Sequence, residues 1–128
     1  MEETSQASKR EAAASLKILR RRIRWKPGKA ATHLEKRKAL GHLPAESSVK
    51  EYNRLIQALV QEAEHQVYLY RFASERYYAV RGMVGRTEWL VISTKEGVVE
   101  TAFPPDAMDD YLSKRGFVLM STIREVLA

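Results

Sequence analysis

Apolar positions return at helical spacing over the first half of the chain and at strand spacing over most of the second half. Tyr52, Leu55, Ile56, Leu59, Val60 and Ala63 recur at three- and four-residue intervals, which predicts an amphipathic helix through about His65 whose stripe lies flat on a sheet. Ser48-Val-Lys-Glu51 before it has the form of a capping box and marks its start. Earlier, Lys9 to Arg24 is Ala-rich, with Leu16, Leu19 and Ile23 on one stripe and basic residues around it, which predicts a helix ended by Trp25-Lys26-Pro27-Gly28. A shorter helix is expected over Ala30 to Leu40, terminated by Gly41. Residues 1–8 are small and polar and are expected to fray.

The period then changes. Val67 to Phe72, Tyr77 to Arg81, Trp89 to Ser93 and Val98 to Phe103 are short runs rich in aromatic and β-branched residues, separated by turn signals at Ala73-Ser-Glu-Arg76, at Gly82 to Gly85 and at Gly97. Strict alternation in the last run sets Val99, Thr101 and Phe103 on one face, so that a hydroxyl interrupts an apolar row. Pro104-Pro105 stops that strand, and a helix over Asp106 to Arg115 follows, with Asp109 and Asp110 suited to its first turn. Phe117 to Met120 reads as a closing strand, followed by a helical turn towards Leu127. The pattern as a whole predicts an α+β fold in which N-terminal helices pack on a four- to five-stranded antiparallel meander. It divides into a basic helical arm, residues 1–29, and an α+β domain, residues 30–128.

Composition sharpens this picture in two places. Of the 128 residues, 45% are hydrophobic and 30% charged, as in a folded globular domain. With no cysteine, disulfides and thiolate metal sites are excluded, and packing alone must hold the fold. Residues 1–50 carry a net charge of +8 and residues 51–128 a net of −2, so the basicity belongs to the N-terminal part and suits a polyanionic partner. No apolar run approaches the roughly 20 residues of a membrane span, and Met1 to Arg10 lacks the apolar core of a signal peptide, so no membrane partner and a cytoplasmic site of action are expected.

Several chemistries find no motif. There is no Gly-rich phosphate loop and no Ser nucleophile elbow, and His33, His42 and His65 lack ligand spacing, so neither a cofactor nor a metal is expected. What remains is an imidazole on a short basic helix, arginines in the strand region and a threonine in a strand. His33 titrates near neutral pH and can move a proton. Arg71 and Arg81 are suited to gripping a phosphate, and Thr101 offers a hydroxyl to orient the reactants. Such a set suffices for metal-independent RNA cleavage, in which the 2′-hydroxyl of the RNA is itself the nucleophile. Lys29, Lys36, Arg37, Arg20, Arg21 and Arg86 would add phosphate contacts, and Tyr70 a stacking surface for a base.

The order of the pieces adds a further indication. Thr32-His-Leu-Glu-Lys-Arg-Lys-Ala-Leu-Gly41, the helix opened at Glu51-Tyr52 and the strand ending Gly97-Val-Val-Glu-Thr-Ala-Phe-Pro-Pro105 together resemble the nuclease superfamily that groups barnase, EndoU, colicins E5 and D and RelE, in its phage-associated and polymorphic-toxin branches. The resemblance spans about residues 30–113. It implies that His33 matches the helical histidine of that family, Thr101 its strand Ser or Thr, and Arg71 or Arg81 its strand-borne cation. Many relatives place a second histidine one turn after the first, where this chain has Arg37. The function implied is a toxin-like endoribonuclease acting on RNA, with tRNA as the expected substrate and an acidic antitoxin or immunity protein as its neutralising partner. Two rival readings are a non-catalytic RNA-binding module and a protein-interaction module that docks through the helix over residues 9–24.

Overall fold

The structure, a computed structural model, describes residues 6–128; within the stretch 1–8 expected to fray, residues 1–5 lie outside the described part. Three helices come first, α1 (Gln6–Arg21), α2 (Lys29–Ala39) and α3 (Val49–Gln61). Four strands follow, β1 (Gln66–Phe72), β2 (Glu75–Val84), β3 (Thr87–Thr94) and β4 (Val99–Phe103), then α4 (Met108–Lys114), β5 (Val118–Thr122) and α5 (Ile123–Leu127). The strands form one antiparallel sheet in the order β4-β3-β2-β1-β5. This is the expected α+β architecture, with helices preceding a meander of hairpins. β5 pairs with β1 rather than with β4, so the chain crosses one face of the sheet between them, and α4 packs on that face.

The opposite face carries Val67, Leu69, Tyr78, Val80, Val91 and Val99, and α1, α3 and α5 cover it. α3 forms where its stripe and its cap require. Ser48 Oγ accepts from the Glu51 backbone N–H at 3.2 Å, and Glu51 Oε1 accepts from the Ser48 N–H at 2.8 Å, closing the capping box. Tyr52, Ile56, Leu59 and Val60 are fully buried on the sheet, each contributing roughly 1.5–3 kcal/mol of transfer free energy. The helix stops at Gln61, ahead of the expected His65. His65 instead turns its ring onto the backbone of Gly82 and receives the Ile123 N–H on its carbonyl, which starts β1 at Gln66.

That contact leaves no room for a side chain at Gly82. A Cβ placed there would lie 2.3 Å from three atoms of the His65 imidazole, whose Nδ1 is held 2.7 Å from the Leu59 carbonyl oxygen. Gly82→Ala is therefore expected to destabilise the protein by about 1–3 kcal/mol in thermal or denaturant unfolding. A substitution without effect would mean that the ring is not held there.

α1 differs most from expectation. It is no arm: Ala12, Leu16 and Leu19 are buried in the same core as Tyr52, Ile56 and Ile123, so packing does not divide at residue 29. Its small residues allow close approach to the sheet. Ser15 Oγ–H donates to the Thr94 carbonyl at 2.9 Å, and Ile18 sits where a Cβ on Gly97 (φ +74°) would be. Glu11 Oε1 accepts from Arg76 Nε at 2.8 Å and from the Tyr78 hydroxyl at 2.6 Å, tying the helix to β2. The Arg76 guanidinium holds the Glu11 carboxyl down at about 2.

Candidate functional site

The site forms at the β4 edge, where backbone irregularities aim side chains that a regular strand would scatter. The Val99 N–H donates to the Arg24 carbonyl at 2.8 Å, and Trp25 forms a parallel bridge with Val99, so the segment after α1 lies along β4. This contact also explains why α1 ends at Arg21 rather than continuing to Arg24. Trp25 Nε1–H donates to Asn53 Oδ1 at 2.8 Å, and its ring lies between Tyr52 and His33, with centroids at 5.3 and 5.6 Å. The His33 ring is thereby held on the face that meets the strand.

β4 itself carries a bulge. Ile92 pairs with Thr101 while Ser93 pairs with Val99, leaving Glu100 as an extra residue. The expected common face for Val99, Thr101 and Phe103 is therefore corrected. Val99 turns into the core under α1 and α3, whereas Phe103 packs with the α4 side and Thr101 lines a hollow on that side together with Glu100. The physical reason is the inserted residue, which shifts the alternation by one step.

α2 runs alongside β4 with matching spacing. One turn of helix, about 6 Å, separates His33 from Arg37, and two strand residues, roughly 6.7 Å, separate Thr101 from Phe103. The two rows meet in register. His33 Nδ1 lies 3.3 Å from Thr101 Oγ1, and the Arg37 guanidinium carbon sits 5.5 Å from the centroid of the Phe103 ring. Gly28, in the left-handed region at φ 79°, starts α2 at the position this docking needs.

The electrostatics are strongly one-sided. Burial lowers the His33 pKa from its ordinary value, and the charges of Arg37, Lys29 and Lys36 lower it further, with Glu100 pulling the other way. The imidazole is thus neutral at physiological pH. Lys26 Nζ lies 2.9 Å from Glu100 Oε2, so the carboxylate of the bulge is already paired. Beside Thr101 and Glu100 a shallow hollow of about 260 Å³ is walled by Tyr70, Phe72, Tyr77 and Ile92. Tyr70 stacks on Phe117 at 4.2 Å, while Phe72 is 63% exposed at the rim.

The other expected site residues are dispersed over the fold. Arg81 shares a sheet face with Thr101 but is committed elsewhere: Nε lies 2.7 Å from Glu88 Oε2, and Nη1 lies 2.8 Å from Asp109 Oδ1 and 3.2 Å from the Tyr68 hydroxyl. Arg71 alternates onto the side of Leu69, the face opposite Tyr70, and stands across from Arg76. Neither cation is brought to the His33–Thr101 pair. Lys29, Lys36 and Arg37 flank His33 on α2, whereas Arg20 and Arg21 lie at the end of α1, and Arg86 occupies the β2–β3 turn, six residues along the hairpin from the row of Ile92 and Thr101. At about 3.3 Å per residue, that places Arg86 roughly 20 Å away.

Two functional candidates were not expected from sequence, Glu100 and Trp25. A lone carboxylate inside an apolar run is a signal of a bulge or an edge, and a tryptophan in a Pro-Gly linker is a signal of a docked linker, but neither tells what it will face. Comparison of the chain with protein-family models, with curated proteins and with solved structures gave no match.

Proposed function

We propose that the protein is a metal-independent endoribonuclease of the toxin or effector kind, with RNA, and tRNA in particular, as its substrate. What supports this reading above all is the meeting of a neutral imidazole and a strand hydroxyl at the rim of an aromatic hollow. The shifted pKa fits a base: an imidazole that is unprotonated near neutrality takes a proton at a pH where RNA is otherwise stable. With Nδ1–H donating to Thr101 Oγ1, the lone pair of Nε2 is free to face the substrate. Thr101 is then a positioning residue.

In this reading His33 Nε2 removes the proton of the 2′-hydroxyl, the 2′-oxygen forms a bond to the adjacent phosphorus, and the bond from phosphorus to the 5′-oxygen breaks. The imidazolium so formed returns its proton to the departing 5′-oxygen, which leaves a 2′,3′-cyclic phosphate and a 5′-hydroxyl. Lys29 and Lys36 stabilise the negative charge that grows on the phosphoryl oxygens. Tyr77 and Phe72 supply apolar ring surface for a base, and an acidic antitoxin or immunity protein would neutralise the basic face.

The test is cleavage of end-labelled tRNA and mixed RNA by the purified protein in EDTA. Cleavage with cyclic-phosphate ends is expected; intact RNA after prolonged incubation at high protein concentration would sink the assignment. A second reading, an RNA-binding module, is favoured by one other surface. Arg21, Arg22, Lys50 and Arg54 line a shallow concavity of about 580 Å³ without a carboxylate among its walls. RNA retained without cleavage, and retained equally by His33→Ala, would select it.

A further inference from the structure

Beyond His33, on the far side of Arg37, lies a groove of about 730 Å³ between α2 and α4. Its volume falls within the ~300–1,000 Å³ of small-molecule sites. Arg37 is 4% exposed, yet its Nε and Nη1 have no hydrogen-bond partner, and the buried Nδ1 of His42 in the same wall has none either. A guanidinium taken out of water with unmade hydrogen bonds is costly, and proteins normally satisfy such a group. Arg81 provides the contrast within this molecule, with Glu88, Asp109 and Tyr68 all arranged around it.

We infer that the groove is a phosphate subsite, in which Arg37 grips the phosphodiester next to the one that is cut. The groove carries more positive than negative charge: Lys36, Arg37, Lys114 and Arg115 line it against Asp106 and Asp110, and Lys114 lies 3.1 Å from Asp110. A planar donor fork matches phosphate oxygens two at a time. Arg37 follows His33 by one helical turn, ~5–6 Å between side-chain origins, comparable to the separation of neighbouring phosphates along a single strand. A polynucleotide crossing the β4 edge thus presents one phosphate to His33 and the next to Arg37. A bilayer headgroup is disfavoured because a flat surface does not reach a guanidinium this deep. The assignment rests on the ribonuclease reading for the identity of the ligand, and on the unpartnered guanidinium for its charge.

Binding of a short, fluorescently labelled single-stranded DNA, which has the phosphates but lacks the 2′-hydroxyl that cleavage needs, separates the two. Anisotropy titrations at low salt compare wild type with Arg37→Met, which fills the space over Phe103 without the charge and is expected to fold and to melt no lower than wild type. Loss of roughly ten- to a hundredfold in affinity is expected, together with displacement of the DNA by inorganic phosphate in wild type but not in the variant. Lys36→Ala and Lys114→Ala, at the rim, give a smaller loss in the same direction and carry the test if Arg37→Met does not fold. Equal affinity of all variants would overturn the subsite even if RNA is cut. A loss on Arg37→Met in a protein that cuts no RNA would keep the subsite and reject the ribonuclease. Binding to phosphatidylglycerol vesicles without binding to DNA would overturn it in favour of a lipid surface.

Discussion

His33→Ala is expected to lower RNA cleavage by about 10²–10⁴-fold, the range for loss of a positioned general acid or base, while leaving RNA affinity within a fewfold. The same assay should give a smaller loss, about tenfold, for Thr101→Val, because that change removes only the hydroxyl 3.3 Å from Nδ1 and with it the preference for the productive tautomer. Cleavage undiminished in both variants would remove the site from consideration. The pH profile adds a readout that a merely structural histidine would not give. Burial, then Arg37, Lys29 and Lys36, hold the imidazole below its ordinary value of 6.5, so the acid limb of kcat/KM should lie below that value. A bound phosphate cancels part of the surrounding positive charge, so the limb of kcat should lie higher than that of kcat/KM. In Arg37→Met the limb of the free enzyme should also move up. The linkage to stability has a definite sign. A lowered folded pKa means that the unfolded chain binds more protons as the pH falls, so the contribution of His33 is fully present above 6.5 and is lost as the pH drops through the folded value.

The second large effect concerns α1. Leu16→Ala is expected to cost about 2–5 kcal/mol in denaturant unfolding, the range for a buried leucine truncated in a packed core. Against the ~5–15 kcal/mol that typically holds a domain together, removing residues 1–25 altogether should leave a chain with no cooperative unfolding transition. A detachable arm would behave in the opposite way, with the domain melting normally and only its affinity for a polyanion reduced. Circular dichroism on the truncated chain and on Leu16→Ala distinguishes the two. A sharp, unshifted melt in both would mean that the helix lies on the core without supporting it.

Sequence disclosed the parts of this fold whose causes are local. The Ser48–Glu51 box and the stripe from Tyr52 to Val60 sit within a few residues of one another, and the structure forms them as read. The strands fall where aromatic and β-branched residues cluster, although β2 and β3 run longer than the apolar runs because pairing extends them through Met83, Val84 and Thr87. What escaped reading depends on distant partners. α1 reads as a basic arm from its arginines and lysines, whereas its burial through Ala12, Leu16 and Leu19 depends on partners as distant as Tyr52 and Ile123. Arg81 reads as an available cation on a strand, but Asp109, 28 positions on in α4, reaches it in the folded chain. The same holds for the site. The pair of His33 and Thr101 was legible as residue types, but the bulge at Glu100 and the rings of Trp25 and Tyr52 that aim the pair are products of the tertiary fold.

The long reach of that pairing has a kinetic corollary. β1 to β4 are successive hairpins, and such units form on the order of 1–10 μs, whereas His33 and Thr101 are 68 positions apart and β5 must find β1 across an intervening meander. Contacts between distant positions come late and slow the overall rate. A refolding chain would accordingly regain its hairpins before its imidazole–hydroxyl contact.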